Sequence, residues 1–122
     1  MSKFLIDAVD QSTYNGLKVL MGDEGFAEII GLFVSDTHQA IKDLRPAIAG
    51  QQLDYISSVC HKMKSSSRLI GAFEMAKWCE QLEECTTQPG MTPIGAYEHL
   101  QAEFKRVEVW LAEEQNDTVI AS

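Results

Sequence analysis

The chain of 122 residues carries a formal net charge of -8 and is 45% hydrophobic. That length and apolar content fit one domain with one core. The acidic balance excludes non-specific nucleic-acid binding, which needs clustered Lys and Arg to displace phosphate counterions. No apolar run is long enough to span a bilayer, and "MSKFLIDAVD" shows no signal-cleavage pattern. No membrane partner is therefore expected, and the expected location is the cytoplasm. The three cysteines, Cys60, Cys79 and Cys85, are odd in number and lie in helix-like segments, so they read as reduced core thiols. They lack a Cys-x-x-Cys or His-ligand spacing, so no metal site is expected.

Apolar residues recur at helical spacing and strand-like alternation is nearly absent. A short first helix is predicted from about Asp10 to Met21, with Gly22 as its stop and Asp23 as the N-cap of the next. The second helix carries Phe26, Ile30, Phe33, Thr37, Ile41, Leu44 and Ile48 on one side. Pro46 predicts a kink or early end near Arg45, because proline removes an N–H and collides with the preceding turn. Gly50 closes the segment.

The third helix is predicted over Gln52 to Ile70, with Leu53, Ile56, Cys60, Met63, Ser67 and Ile70 forming its seam. A fourth, Ala72 to Thr86, buries Phe73, Ala76, Cys79 and Leu82 and ends in "TTQPGM" at Pro89 and Gly90. Thr92 and Pro93 start a fifth, with Tyr97, Leu100, Phe104, Val107 and Leu111 on its inner side. The tail from Gln115 to Ser122 is expected to fray. The predicted fold is all-α: an antiparallel four-helix bundle, up-down-up-down, with a short additional N-terminal helix. Its core covers about residues 10–114 of a single domain, with no repeat or linker.

The stretch "CHKMKSSSRLIGAF", Cys60 to Phe73, concentrates the chemistry. No acid occurs between Asp54 and Glu74, although the whole chain is acidic. Register places Ser57, His61, Lys64, Ser65 and Arg68 together, away from the Cys60–Met63 seam. Neutral imidazole is a nucleophile. A phosphoryl group on His61 would bring roughly 1.5 to 2 negative charges. Lys64, one turn along, and Arg68, a further turn away, could meet that charge, with Lys62 adding to the field. His38 and His99 lack such a setting and read as ordinary surface or partly buried histidines. Ser66 and Ser67 read as small packing residues, and the five methionines as core filling.

"HKMKSSSRLIGA" resembles the motif of histidine phosphotransfer (HPt) domains, which runs His, any, Leu, Lys, Gly, Ser, Ser, three residues, then Gly-Ala. His61, Met63, Lys64, Ser66, Ser67, Gly71 and Ala72 match it. "CEQLEE", Cys79 to Glu84, is similar to the Cys-x-x-Leu-Glu stretch on that family's next helix, and the likeness spans roughly residues 10–113. The resemblance implies that His61 accepts a phosphoryl group on Nε2 from a receiver-domain aspartate and passes it to another receiver. It also implies a ring-orienting acceptor at Glu83. His61 lies ten residues before Gly71 and Glu83 twelve after it, about 15 and 18 Å from the turn, so antiparallel helices bring them level.

Further expectations follow from the resemblance. The partners would be receiver domains of hybrid sensor kinases and response regulators. The chain would be a monomeric phosphocarrier without kinase activity, and Mg²⁺ would come from the receiver rather than from a cofactor of its own. Leu17, Met21 and Phe26 are candidate docking residues. One departure stands out: Ser65 occupies the usual glycine position, and its hydroxyl is expected to bond back to the His61 carbonyl. A receiver-docking adaptor that never carries phosphate, a plain helical scaffold and a metal-binding bundle are the competing readings.

Overall fold

The computed structural model describes residues 7–88 and 90–121, with side chains described to residue 115. The expectations for the first six residues and for Pro89 lie outside the described residues. Four α-helices, and no strand, occur among those described: α1 (Gln11–Ala49), α2 (Leu53–Ile70), α3 (Phe73–Glu84) and α4 (Pro93–Ala121). Each packs against two others, α1 on α2, α2 on α3, α3 on α4 and α4 on α1. Apolar stripes at three- and four-residue spacing thereby enclose one core that includes Leu44, Ile56, Cys60, Cys79, Leu82, Leu100 and Val107.

α1 opens at Asp10, whose carboxylate accepts from Thr13 N at 3.0 Å and from Thr13 Oγ1 at 2.6 Å. That cap satisfies N-terminal N–H groups that lack an intrahelical partner. At Gly22 the backbone leaves helical geometry, with φ 77 and ψ 162, so the helical run is broken where the sequence predicts a stop. Glycine tolerates that region because it has no Cβ. Tyr14, before the break, packs edge-on to Phe26 after it, centroids 4.8 Å apart, and to Trp110 of α4 at 4.9 Å.

Several expectations need correction. α1 does not end near Arg45: it continues through Pro46 to Ala49. The N–H that proline lacks would have bonded Lys42, and both residues face solvent, while Leu44 and Ala47 are buried and hold the turn in place. Phe73 and Leu53 are exposed, not core, because each is the first residue of its helix, at an end of the seam. Met75 is fully buried in α3, beside Ala76. The last helix runs beyond Leu111 to Ala121, so 115–121 is helical. Tyr97 ties α4 to α1 by donating its hydroxyl to the Ile41 carbonyl at 2.8 Å.

The α2–α3 turn positions the site. Gly71 has φ 95, and a Cβ there would lie 3.0 Å from the Asp10 carbonyl oxygen and 3.1 Å from Thr13 Cβ. Its own carbonyl accepts from Asp10 N at 2.9 Å. The turn is therefore locked against the start of α1, which sets α3 back along α2.

Candidate functional site

His61 lies in the middle of α2, and its side chain is 65% exposed. Its neighbours Cys60 and Met63 are buried in the seam, so the helical register turns the imidazole outward. Glu83, near the end of α3, brings Oε2 to 3.4 Å from His61 Nδ1 and Oε1 to 2.9 Å from Lys64 Nζ. One carboxylate thus bridges the ring and the ammonium across the α2–α3 contact. Lys64 is only 13% exposed and Glu83 24%, so this pair is partly withdrawn from water while the ring is not. His61 Nε2 has no hydrogen-bond partner among the described residues.

A carboxylate at Nδ1 favours a proton there, which leaves Nε2 with its lone pair. Lys64 balances the carboxylate's charge and restrains its rotation. Arg68, one turn beyond Lys64, reaches Glu80 Oε2 at 3.9 Å and is 54% exposed, so it remains in solvent. Ser65 Oγ donates to the His61 carbonyl at 3.2 Å, as the sequence predicts. Ser66 and Ser67 bond back to Lys62 and Met63 in the same way. Only Ser67 is a packing residue: it is fully buried, whereas Ser66 is exposed.

On the side away from Glu83, His61 borders a groove of about 710 Å³ between α1 and α2. Ile29, Leu32, Phe33, Val59 and Leu69 supply its apolar lining, and Ser65 and Ser66 line it beside His61. Leu32 and Leu69 are 54% and 51% exposed, so the groove presents open apolar surface. The docking residues named from sequence are not here. Leu17 and Phe26 are core, 8% and 5% exposed, Phe26 as part of the buried stripe that continues through Ile30 and Phe33. Met21 is exposed but does not line the groove. Sequence reading missed Leu32 and Leu69; both fall outside the three-four seam of their helices, which marks an apolar residue left facing out.

The remaining candidates are structural. Burial pushes the Cys60 and Cys79 thiols up to about 12, with the nearby Cys79 and Glu83 adding to the effect at Cys60. Cys85, expected in the core, is only partly buried. His38 is paired with Glu108 at 2.6 Å, and His99 stacks on Trp78 with ring centroids 4.2 Å apart. No group of three or more His, Cys, Asp or Glu among the described residues is placed to hold a metal ion. No helix among them is long and apolar enough to cross a membrane.

The chain belongs to the Hpt domain family, whose model matches residues 28–110. That family comprises the histidine phosphotransfer proteins of phosphorelay signalling, which act on receiver domains of two-component systems as carriers rather than kinases. Among solved structures, the fold is similar to histidine-containing phosphotransfer protein B (HptB) from Pseudomonas aeruginosa PAO1. The match has a TM-score of 0.84 at 22% identity, covering 93% of this chain and 98% of that one. Among curated proteins there is no match.

Proposed function

We propose that this chain is a phosphocarrier in which His61 Nε2 takes a phosphoryl group from a receiver-domain aspartate and delivers it to the aspartate of another receiver. The observation that carries the proposal is the placement of Glu83 at His61 Nδ1, on an imidazole that is otherwise open to solvent. In the forward step the Nε2 lone pair forms the N–P bond as the acyl-phosphate P–O bond breaks, leaving the aspartate as a carboxylate. The Nδ1 proton stays in place, and Glu83 offsets the positive charge on the phosphorylated ring. The return step reverses these bonds, so the chain is unchanged after each cycle.

Magnesium and the acidic pocket belong to the receiver in this scheme, which uses the chain's own residues only for the nucleophile and its electrostatics. Lys64, already paired with Glu83, acts by positioning that carboxylate, and Arg68, exposed two turns along α2 and 3.9 Å from Glu80, is a further cation available to the incoming phosphate. The helices run up-down-up-down, with the segment before Gly22 as a short additional helix; the short α1–α2 and α2–α3 connections support this arrangement. We place the protein in the cytoplasm as a monomer, where reduced thiols and an acidic surface are both at home.

The test is to mix the chain with isolated receiver domains phosphorylated by acetyl phosphate and to follow phosphate on the chain. An acid-labile, base-stable label on the wild type and none on His61→Gln is the expected result. Label that survives His61→Gln would move the site elsewhere. Binding without label in the wild type would favour a docking adaptor.

A further inference from the structure

The groove beside His61 is apolar within and charged at its edges. Asp36 and Asp43 line it from α1, and Lys62 lines it from α2. The two aspartates are seven residues apart on one helix, so they share a face about 10.5 Å apart along the axis. Neither has a salt-bridge partner among the described residues. Asp43 accepts a hydrogen bond from Gln39 Nε2 at 2.9 Å, which orients the carboxylate without neutralising it. The α1 edge is therefore acidic and the α2 edge basic, with apolar surface between them.

We infer that this groove selects its partner by charge: it takes an amphipathic helix of a receiver domain that carries Lys or Arg seven residues apart over Asp36 and Asp43. A channel between two helices suits a third helix, whose apolar stripe fills the floor while flanking side chains meet the rims. Complementary rim charges speed encounter and fix orientation, and like charges reject wrong partners. The segregation of signs sets which way the helix lies, with its cations toward α1 and a neutral or acidic side toward Lys62. A second copy of this chain is a poor occupant, since its net charge of -8 would meet the same acidic edge. The inference rests on the phosphocarrier reading and adds to it a rule for choosing among receivers.

The experiment titrates isolated receiver domains of differing docking-face charge into ¹⁵N-labelled chain and follows amide shifts at low and high salt. Shifts at groove residues are expected, with Kd lowest for receivers bearing the spaced cations. The double variant Asp36→Asn with Asp43→Asn is expected to bind about three- to tenfold more weakly at low salt and to lose most of the salt dependence. Reversal to lysine at both positions is expected to be rescued by a receiver whose two cations are changed to glutamate. Circular dichroism checks the fold of each variant, which is expected to hold because Asp36 is exposed and Asp43 half-buried.

Unchanged affinity and salt dependence in the asparagine variant would overturn the charge rule. So would shifts outside the groove, or groove shifts caused by self-association without a receiver. Phosphate labelling is scored separately on the same pairs. Charge-dependent binding without label leaves the rule standing and removes the carrier reading. Label whose transfer ignores Asp36 and Asp43 removes the rule alone, and no binding to any receiver removes both.

Discussion

At the scale of single residues, the site depends on one carboxylate with two duties. Glu83 faces both His61 Nδ1 and Lys64 Nζ, and only the second contact is close enough for a strong charge-assisted bond. Replacing Glu83 by alanine leaves Lys64 partly buried without its partner and frees the ring to rotate. Stability is expected to fall by about 1 kcal/mol in a urea titration, and phosphotransfer by about tenfold. Glu83→Gln keeps an acceptor for Nδ1–H, so transfer is expected to recover most of that loss although the ion pair is gone. Equal transfer rates in both variants would show that the ring needs no acceptor. Ser65 makes a second test. Its hydroxyl is already turned back onto the His61 carbonyl, so Ser65→Gly is expected to lower stability by about 0.5 kcal/mol. Relative rates among receivers are expected to shift; a gain of orders of magnitude with every receiver would show that the hydroxymethyl group blocks docking.

At the scale of elements, two glycines with positive φ do different jobs. Gly22 breaks α1 in open space, and an added Cβ would meet nothing within 4 Å. Gly71 joins α2 to α3 against the backbone of Asp10, where the same Cβ would be 3.0 Å from an oxygen. Gly22→Ala is expected to cost about 1–2 kcal/mol from backbone strain alone, and Gly71→Ala roughly 3 kcal/mol from strain plus contact. Thermal melts of the two variants compare them directly. The Gly71 variant is also expected to lose transfer activity at temperatures where it remains folded, because a displaced α3 carries Glu83 away from His61. Equal loss of stability in the two would mean that the α2–α3 turn can relax away from α1.

At the scale of the whole molecule, the core includes two thiols that resist ionisation. Cys60 and Cys79 are raised from 9.0 to about 12, mainly by burial. In the unfolded chain they ionise near the ordinary value, so between about pH 9 and 12 the unfolded state binds fewer protons than the folded one. Stability is therefore full below about pH 9 and falls as pH rises towards 12. Melting temperature against pH is expected to decline over this window, and less steeply for Cys60→Ala with Cys79→Ala compared with its own neutral-pH value. A thiol reagent at neutral pH is expected to modify Cys85 first and the buried pair only on unfolding, since Cys60 and Cys79 are fully buried. Simultaneous modification of all three would indicate that the bundle opens far more readily than its packing implies.

The sequence alone determined the helices and their inner faces, because burial repeats every three to four residues wherever a helix lies on a core. It also located His61 and Lys64 on one side of α2, since that side follows from the positions of Cys60 and Met63. The motif with its closing Gly71 and Ala72 carried the family likeness, and counting residues from that turn brought Glu83 level with His61. Tertiary structure decided what periodicity cannot carry. It kept α1 helical beyond Pro46 through the burial of Leu44 and Ala47, and it left Phe73 and Leu53 exposed at helix ends. It put Leu17 in the core with Phe26, and it opened a different apolar surface around Leu32 and Leu69. It also assigned Lys64 to Glu83 rather than leaving it in solvent. Contacts of this kind join residues far apart in the chain, and their geometry is set only when all four helices have packed.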